Sequence, residues 1–125
     1  MIALYVGLAG ALGSMSRYWL GSWISDWIGL RTSVPVATLT VNVLGSLAMG
    51  VVVAVFASRG EMDSRVRVAI AVGFLGGFTT YSSFALETVG LLEQRNLHIA
   101  ALYMTLTLAV AGFACYAGLL VGRRL

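Results

Sequence analysis

Long apolar runs, separated by short polar segments, dominate the pattern of hydrophobic and polar positions along the chain. The apolar runs cover residues 2–24, 34–57, 66–92 and 97–122. The polar connections cover residues 25–33, 58–65 and 93–96. A helix needs about 20 mainly apolar residues to cross a bilayer, so each run is long enough. The pattern predicts an all-α membrane protein with four transmembrane helices, organised as one unit over residues 1–125.

Composition agrees with a membrane environment. Hydrophobic residues make up 59% of the chain and charged residues 10%, and the mean hydropathy is +0.92. A soluble domain carries about 25% charged residues, so lipid rather than water is the predicted main surrounding. The first run lacks a basic start and a small-residue cleavage site, which favours a retained helix over a signal peptide.

The side chains that catalysis requires do not form a recognisable motif. The sequence has no nucleophile with a base, no phosphate-binding glycine loop and no metal-ligand spacing, so an enzyme is not expected. The single cysteine, Cys115, is interpreted as a small packing residue. The basic residues are all arginines and lie mostly at the ends of the apolar runs. This distribution indicates membrane-flanking positions and no nucleic-acid-binding patch.

The positions of the arginines also indicate how the chain is oriented in the membrane. If the four runs all cross the membrane, the side that carries both termini holds Arg59, Arg65, Arg67, Arg123 and Arg124. The opposite side holds Arg31 and Arg95, and also Arg17 if that residue reaches the flank of the membrane. Because cytoplasmic segments carry the excess of positive residues, this modest bias favours cytoplasmic termini and leaves insertion in both orientations open.

The third run contains a weak point for a regular helix. Its centre places Gly76 and Gly77 close to Thr79 and Thr80, which are poor helix formers. A discontinuous helix in a membrane exposes carbonyl groups at one end of the break and N–H groups at the other, so it can bind ions. The alternative is an intact helix that packs closely through its glycines.

Polar side chains recur at helical spacing in three runs. Such stripes face other helices or a polar path, because polar groups facing lipid are costly. The hydroxyls, the amide and the aromatic edges of these stripes suit the binding of an anion better than that of a transition metal. The simpler interpretation is that these side chains only form hydrogen bonds between helices. The stripes are Thr38, Asn42 and Ser46; Thr80, Tyr81, Phe84, Glu87 and Thr88; and Tyr103 and Thr107.

Two charged residues interrupt the apolar runs. Arg17 can extend to the membrane surface, pair with an acidic group, or lie in a vestibule that gathers anions. Glu87 is either a structural partner of Arg17 or a group at a pore mouth.

Specific motifs resemble a known family. The segment GGFTTYSSF at residues 76–84, followed by Glu87, and the segment TLTVN that ends at Asn42 resemble the Fluc family of fluoride channels, also called CrcB proteins. The positions of Arg17 and Tyr103 extend this resemblance over essentially the whole chain. It implies an antiparallel, dual-topology homodimer in the inner (plasma) membrane that exports fluoride passively through two pores, with a structural sodium ion at the dimer centre.

The resemblance also implies roles for individual residues. Asn42 would donate to fluoride, Tyr81 and Phe84 would form an aromatic box, and Tyr103 would lie beside it. Hydroxyl groups would line the path further along, from Ser82, Ser83 and Thr107. The main-chain carbonyls of Gly76 and Thr79 would bind sodium. Arg17 and Glu87 would lie toward the vestibules.

One residue departs from the family pattern, because the first box position is usually phenylalanine and here is Tyr81. Two other functions compete with the channel. A small proton-coupled multidrug exporter requires an acidic residue deep in the first helix, and the first run has none there. A structural subunit of a membrane complex would use the polar stripes only as contact surfaces.

Overall fold

The computed structural model describes residues 1–28, 32–60 and 63–125, and within these ranges the secondary structure is helical, with no strand. The first two helices are α1 (Ile2–Ile28) and α2 (Val36–Ser58). The third run forms α3 (Ser64–Val68), a π-helical segment (Ala69–Leu75), α4 (Gly76–Phe78) and α5 (Tyr81–Glu93). The last helix is α6 (Leu97–Gly122).

The prediction of an all-α membrane protein is confirmed. Among the described residues, three helical stretches are long and apolar enough to cross a membrane, namely Val36–Ser58, Ser64–Glu93 and Leu97–Gly122. Helix α1 has 27 residues but is not one of them, because its arginine, serines and terminal aspartate reduce its hydropathy. The structure thus shows three membrane-capable stretches, and the fourth crossing stays a prediction.

The predicted helix boundaries need small corrections. Helix α6 has the predicted bounds, whereas α1 continues one turn beyond residue 24 to Ile28. Helix α2 begins at Val36, two residues after the start of the predicted run, with Pro35 as its N-cap, and the carbonyl of Pro35 accepts from Leu39 N at 3.2 Å. The part of the first connection at residues 29–31, including Arg31, lies outside the described residues, as do residues 61–62.

The predicted break in the third run is present. Helix α4 ends at Phe78, and Thr79 and Thr80 are extended, with φ/ψ angles of −83°/158° and −149°/117°. Before the break, the seven-residue π-helical segment was not expected from the sequence. The intact-helix alternative is therefore wrong.

Glycines allow the helices to approach closely, as expected where apolar burial cannot drive helix association. Helices α2 and α6 meet at Gly50 and Gly118, where an added Cβ would collide with the backbone of the opposite helix. Helix α1 packs on the π-helical segment and α4. A Cβ at Gly77 would lie 2.5 Å from the carbonyl oxygen of Gly10. These glycines are therefore sites of close packing between helices.

The turn between α5 and α6 holds the ends of these helices together. Arg95 has a positive φ of 59°, a conformation usually taken by glycine at the end of a helix. The amide of Arg95 donates to the carbonyl of Leu92 and that of Asn96 donates to the carbonyl of Leu91, which is the Schellman pattern. The turn directs α6 back along α5, where Phe84, Leu91, Ala100 and Tyr103 form a buried cluster.

Candidate functional site

Side chains of the break itself form hydrogen bonds that stabilise its main chain. Thr80 precedes α5 as its N-cap, and its Oγ1 accepts from the amide of Ser83 at 3.2 Å. The same hydroxyl lies 3.1 Å from Ser83 Oγ and 3.3 Å from Ser82 Oγ. Threonine is a favoured N-cap because its oxygen accepts from an amide that has no partner in the helix. The break therefore starts a new helix and places three hydroxyls together.

Helix α2 contacts the break through Asn42. Its Oδ1 accepts from the amide of Thr80 at 2.8 Å, and its Nδ2 donates to the carbonyl of Thr80 at 2.9 Å. Asn42 is only 9% exposed. An amide side chain has two N–H groups, so one remains after these bonds.

Helix α1 contacts the other end of the break. Arg17 Nε donates to the carbonyl of Gly77 at 3.1 Å, and Ser14 Oγ lies 3.4 Å from the same oxygen. Of the roles considered for Arg17, pairing with Glu87 is not seen: within residues 1–28, 32–60 and 63–125 the one ion pair joins Arg65 to Asp63.

Glu87 connects three helices. Its two carboxylate oxygens accept from Thr38 Oγ1 and Tyr103 Oη, each at 2.6 Å. Hydrogen bonds from neutral donors to a carboxylate are short and strong, so this arrangement fixes α2, α5 and α6 around one acidic group.

Aromatic rings form a ladder beside the break. The ring centroids of Tyr81 and Phe84 are 5.7 Å apart at an interplanar angle of 58°, and those of Phe84 and Tyr103 are 5.3 Å apart at 57°. Phe84 and Tyr103 are buried, whereas Tyr81 is 77% exposed in the single chain. Tilted rings present their positive edges to neighbouring groups.

Two open cavities meet at Thr80. One, of about 430 Å³, is lined by Asn42, Thr79, Tyr81, Phe84, Thr107 and other residues of α2 and α6. The other, of about 410 Å³, is lined by Arg17, Ser83 and Glu87 together with hydroxyl groups of α1 and α2. Thr80 lines both, so the helix break separates a cavity with aromatic walls from one with charged walls.

The predicted site residues lie around the break, and most of them line one of the two cavities. The first cavity is lined by Asn42, Thr79, Tyr81, Phe84 and Thr107. The second cavity is lined by Arg17, Ser83 and Glu87. Tyr103 connects them by packing on Phe84 and bonding to Glu87. Ser82 and Gly76 lie at the break but line neither cavity.

Two residues to which the sequence assigned no individual role contribute to this region. Thr38 binds Glu87, and its position one turn before Asn42 on the same polar face was the available signal. Ser14 approaches Gly77, and no pattern around it indicated this. Within the described residues, the buried Thr107 Oγ1 has no hydrogen-bond partner, and Thr107 is one of the residues that line the first cavity.

These features define a class of protein. Apolar helices long enough to cross a bilayer, one of them discontinuous and polar at its break, are typical of multi-pass membrane proteins that bind or conduct ions. Among the described residues, no group of His, Cys, Asp or Glu side chains could hold a metal ion.

Comparison with known proteins specifies the family. Residues 4–119 match the family model described as CrcB-like protein, Camphor Resistance (CrcB). The chain is 41% identical over 123 residues to a protein of Erythrobacter litoralis named fluoride-specific ion channel FluC, covering 96% of this chain and 90% of that protein. It is 42% identical over 120 residues to the protein of the same name from Roseobacter denitrificans, covering 96% and 94%. The chain belongs to the CrcB family, as the sequence motifs predicted.

Proposed function

We propose that the chain is a subunit of a fluoride-specific channel that exports fluoride passively across the inner membrane. The observation that carries this function is the set of neutral hydrogen-bond donors and aromatic edges around the break, in a chain whose relatives are named fluoride-specific ion channels. A channel of this family catalyses no reaction, so no enzymatic step is involved.

The chemistry of the cavity walls fits a small, strongly hydrated anion. A pore must replace the water around such an ion with several donors and still release it. The hydroxyl of Thr107, the remaining N–H of Asn42 and the edge of Phe84 supply neutral, positively polarised groups on the wall of one cavity. Ser82 and Ser83 add hydroxyls at the start of α5. Fluoride would pass from these groups toward the cavity with Arg17 and Glu87.

Helix α1 is the proposed fourth transmembrane crossing. Its 27 residues exceed the length of a bilayer crossing, and it packs along the π-helical segment and α4. Its lower hydropathy is compatible with a membrane position, since Arg17 bonds to the main chain at Gly77.

The proposed working unit is a homodimer of two chains in opposite orientations. The cavities are open, and the ring of Tyr81 is largely uncovered in the single chain, which supports a second copy as the missing wall. The modest arginine bias of the sequence is compatible with insertion in both directions.

A structural sodium ion at the dimer centre fits the main chain at the break. Carbonyl oxygens are hard donors that suit alkali cations, and Gly76 is exposed in the single chain, which leaves room for a second copy at this residue. The carbonyls of Gly76 and Thr79 from both copies would hold the ion. When bound, sodium would neutralise the negative ends of the two first half-helices.

The competing functions receive less support. A proton-coupled exporter needs an acidic group deep in α1, but its acidic residue, Asp26, lies two residues from the end at Ile28. A structural subunit would not conduct when purified.

Fluoride efflux from liposomes that contain only this protein tests the function. A fluoride electrode should record efflux above that of empty liposomes, with chloride efflux unchanged. Efflux equal to that of empty liposomes would contradict the channel.

A further inference from the structure

At the break, the carbonyl of Gly76 lacks the hydrogen bond that it would accept in a regular α-helix. In an uninterrupted α-helix, the carbonyl of Gly76 would accept from the amide of Thr80, four residues later. Here the amide of Thr80 donates to Asn42 Oδ1 at 2.8 Å. The amide of Thr79 donates to the carbonyl of Leu75 at 3.0 Å, so it is not directed at Gly76 either. The backbone donors that would usually bind the Gly76 carbonyl are therefore used elsewhere.

Asn42 binds the main chain of Thr80 through both the oxygen and the nitrogen of its side-chain amide. Its Nδ2 donates to the carbonyl of Thr80 at 2.9 Å while its Oδ1 accepts from the amide of the same residue. Breaking this pair would leave two polar groups of a partly buried backbone without partners, which is costly. Asn42 thus keeps Thr80 extended and prevents its amide from closing another helical turn.

We propose that Asn42 is a positioning residue for cation binding: by binding the amide of Thr80, it leaves the carbonyl of Gly76 free to act as a ligand. This inference rests on the sodium site proposed above. The same side chain lines the cavity assigned to the anion, so one residue couples the cation site to the fluoride path.

Two substitutions of Asn42 distinguish the role of its acceptor oxygen from the role of its donor nitrogen. Asn42→Leu removes both, so the Thr80 amide is free to return to the Gly76 carbonyl. Asn42→Asp keeps an acceptor for that amide, but it loses the donor to the carbonyl of Thr80 and the N–H available to fluoride, and it adds a negative charge. Ser46→Ala, one turn further along α2 and on the wall of the same cavity, is the matched control.

Sodium binding is measured on the purified protein as the dependence of its melting temperature on sodium concentration, with N-methylglucamine as the replacement cation. A ligand that binds only the folded state stabilises it by RT ln(1 + [L]/Kd), so the melting temperature rises with the logarithm of ligand concentration once that concentration exceeds Kd. We expect Asn42→Leu to weaken apparent sodium affinity about tenfold or more, since a ligand is lost. Asn42→Asp and Ser46→Ala keep wild-type or tighter affinity, and fluoride efflux is lost in both Asn42 variants.

Wild-type sodium affinity in Asn42→Leu would overturn the proposal, as would loss of sodium binding in Asn42→Asp. If Asn42→Leu does not fold, Asn42→Ala, which also removes the acceptor for the Thr80 amide but takes less space, is measured in its place, and wild-type sodium affinity in that variant overturns the proposal. The proposal is also overturned if the melting temperature of the wild-type protein does not depend on sodium concentration. Fluoride efflux from the same wild-type preparation then tells whether the channel function fails as well.

Discussion

Arg17 and Gly77 form a direct contact between a charged side chain and the broken helix: Arg17 Nε donates to the carbonyl of Gly77 at 3.1 Å. Gly77 lies in the last turn before the break, where carbonyls lack partners within the helix and a positive charge interacts favourably with the helix dipole. Arg17 therefore stabilises the end of the first half-helix, in addition to lining the cavity with charged walls.

Arg17→Met should destabilise the protein by about 1–3 kcal/mol, because it removes a donor from a partly buried carbonyl. Ser14 lies 3.4 Å from this carbonyl, too far to compensate fully. Thermal unfolding in detergent measures the change. Arg124→Met removes the same charge at the exposed end of the chain and should leave stability unchanged. Equal melting temperatures in the two variants would show that the contact with Gly77 contributes nothing.

Tyr103→Phe should also destabilise the protein, by about 1.5–3 kcal/mol, because a hydrogen bond to a carboxylate is lost while the ring remains. The bond in question joins Tyr103 Oη to Glu87 at 2.6 Å. Tyr116→Phe is the matched control, since Tyr116 is 57% exposed. A double-mutant cycle with Glu87→Gln isolates the interaction, and strictly additive effects would mean that the two groups do not interact.

The fold could be predicted from the sequence where one signal dominates. Hydropathy identified the helical runs, and the unfavourable propensities around Gly76 and Thr79 identified the break. The extra turn of α1 was missed because its last residues include Ser25 and Asp26, which resemble a connection. The π-helical segment has no sequence signature, since its residues are ordinary apolar ones and its hydrogen bonding depends on packing against α1.

The candidate site was predictable as a set of residues but not as a network. Helical spacing and family motifs selected Asn42 and Glu87, yet neither reveals which atom binds which. The bonds from Asn42 to Thr80 and from Thr38 to Glu87 connect residues 38 and 49 positions apart, so they depend on how α2 packs on α5. Arg17 was open to several interpretations for the same reason.

Gly118→Leu should disrupt the pairing of α2 and α6, because a side chain there would overlap the carbonyl of Leu47 on the facing helix. Overpacking costs about 1–3 kcal/mol, and a collision with backbone cannot be relieved by a rotamer change. Gly7→Leu is the control, since nothing lies within 4 Å of a Cβ at that position. Melting temperatures in detergent measure the difference, and a Gly118→Leu protein as stable as Gly7→Leu would contradict this packing.

Phe84→Ile should reduce fluoride efflux strongly while the protein still assembles. The substitution keeps an apolar side chain but removes the ring edge that packs against Tyr103 and lines the cavity. A fall of about tenfold corresponds to a barrier to ion passage that is higher by about 1.4 kcal/mol. Phe113→Ile changes a ring that is 72% exposed and should conduct at the wild-type rate. Wild-type efflux from Phe84→Ile would remove Phe84 from the fluoride path.

The C-terminus should lie on both sides of the membrane across a population of chains, because the arginines only modestly favour one side. Reporter domains fused after Leu125, one active only in the cytoplasm and one only outside it, should both be active. Adding arginines to the turn at residues 94–96 should shift activity toward one reporter and reduce fluoride efflux, since an antiparallel pair needs both orientations. One active reporter with undiminished efflux would contradict a dimer built from two inverted copies of this chain.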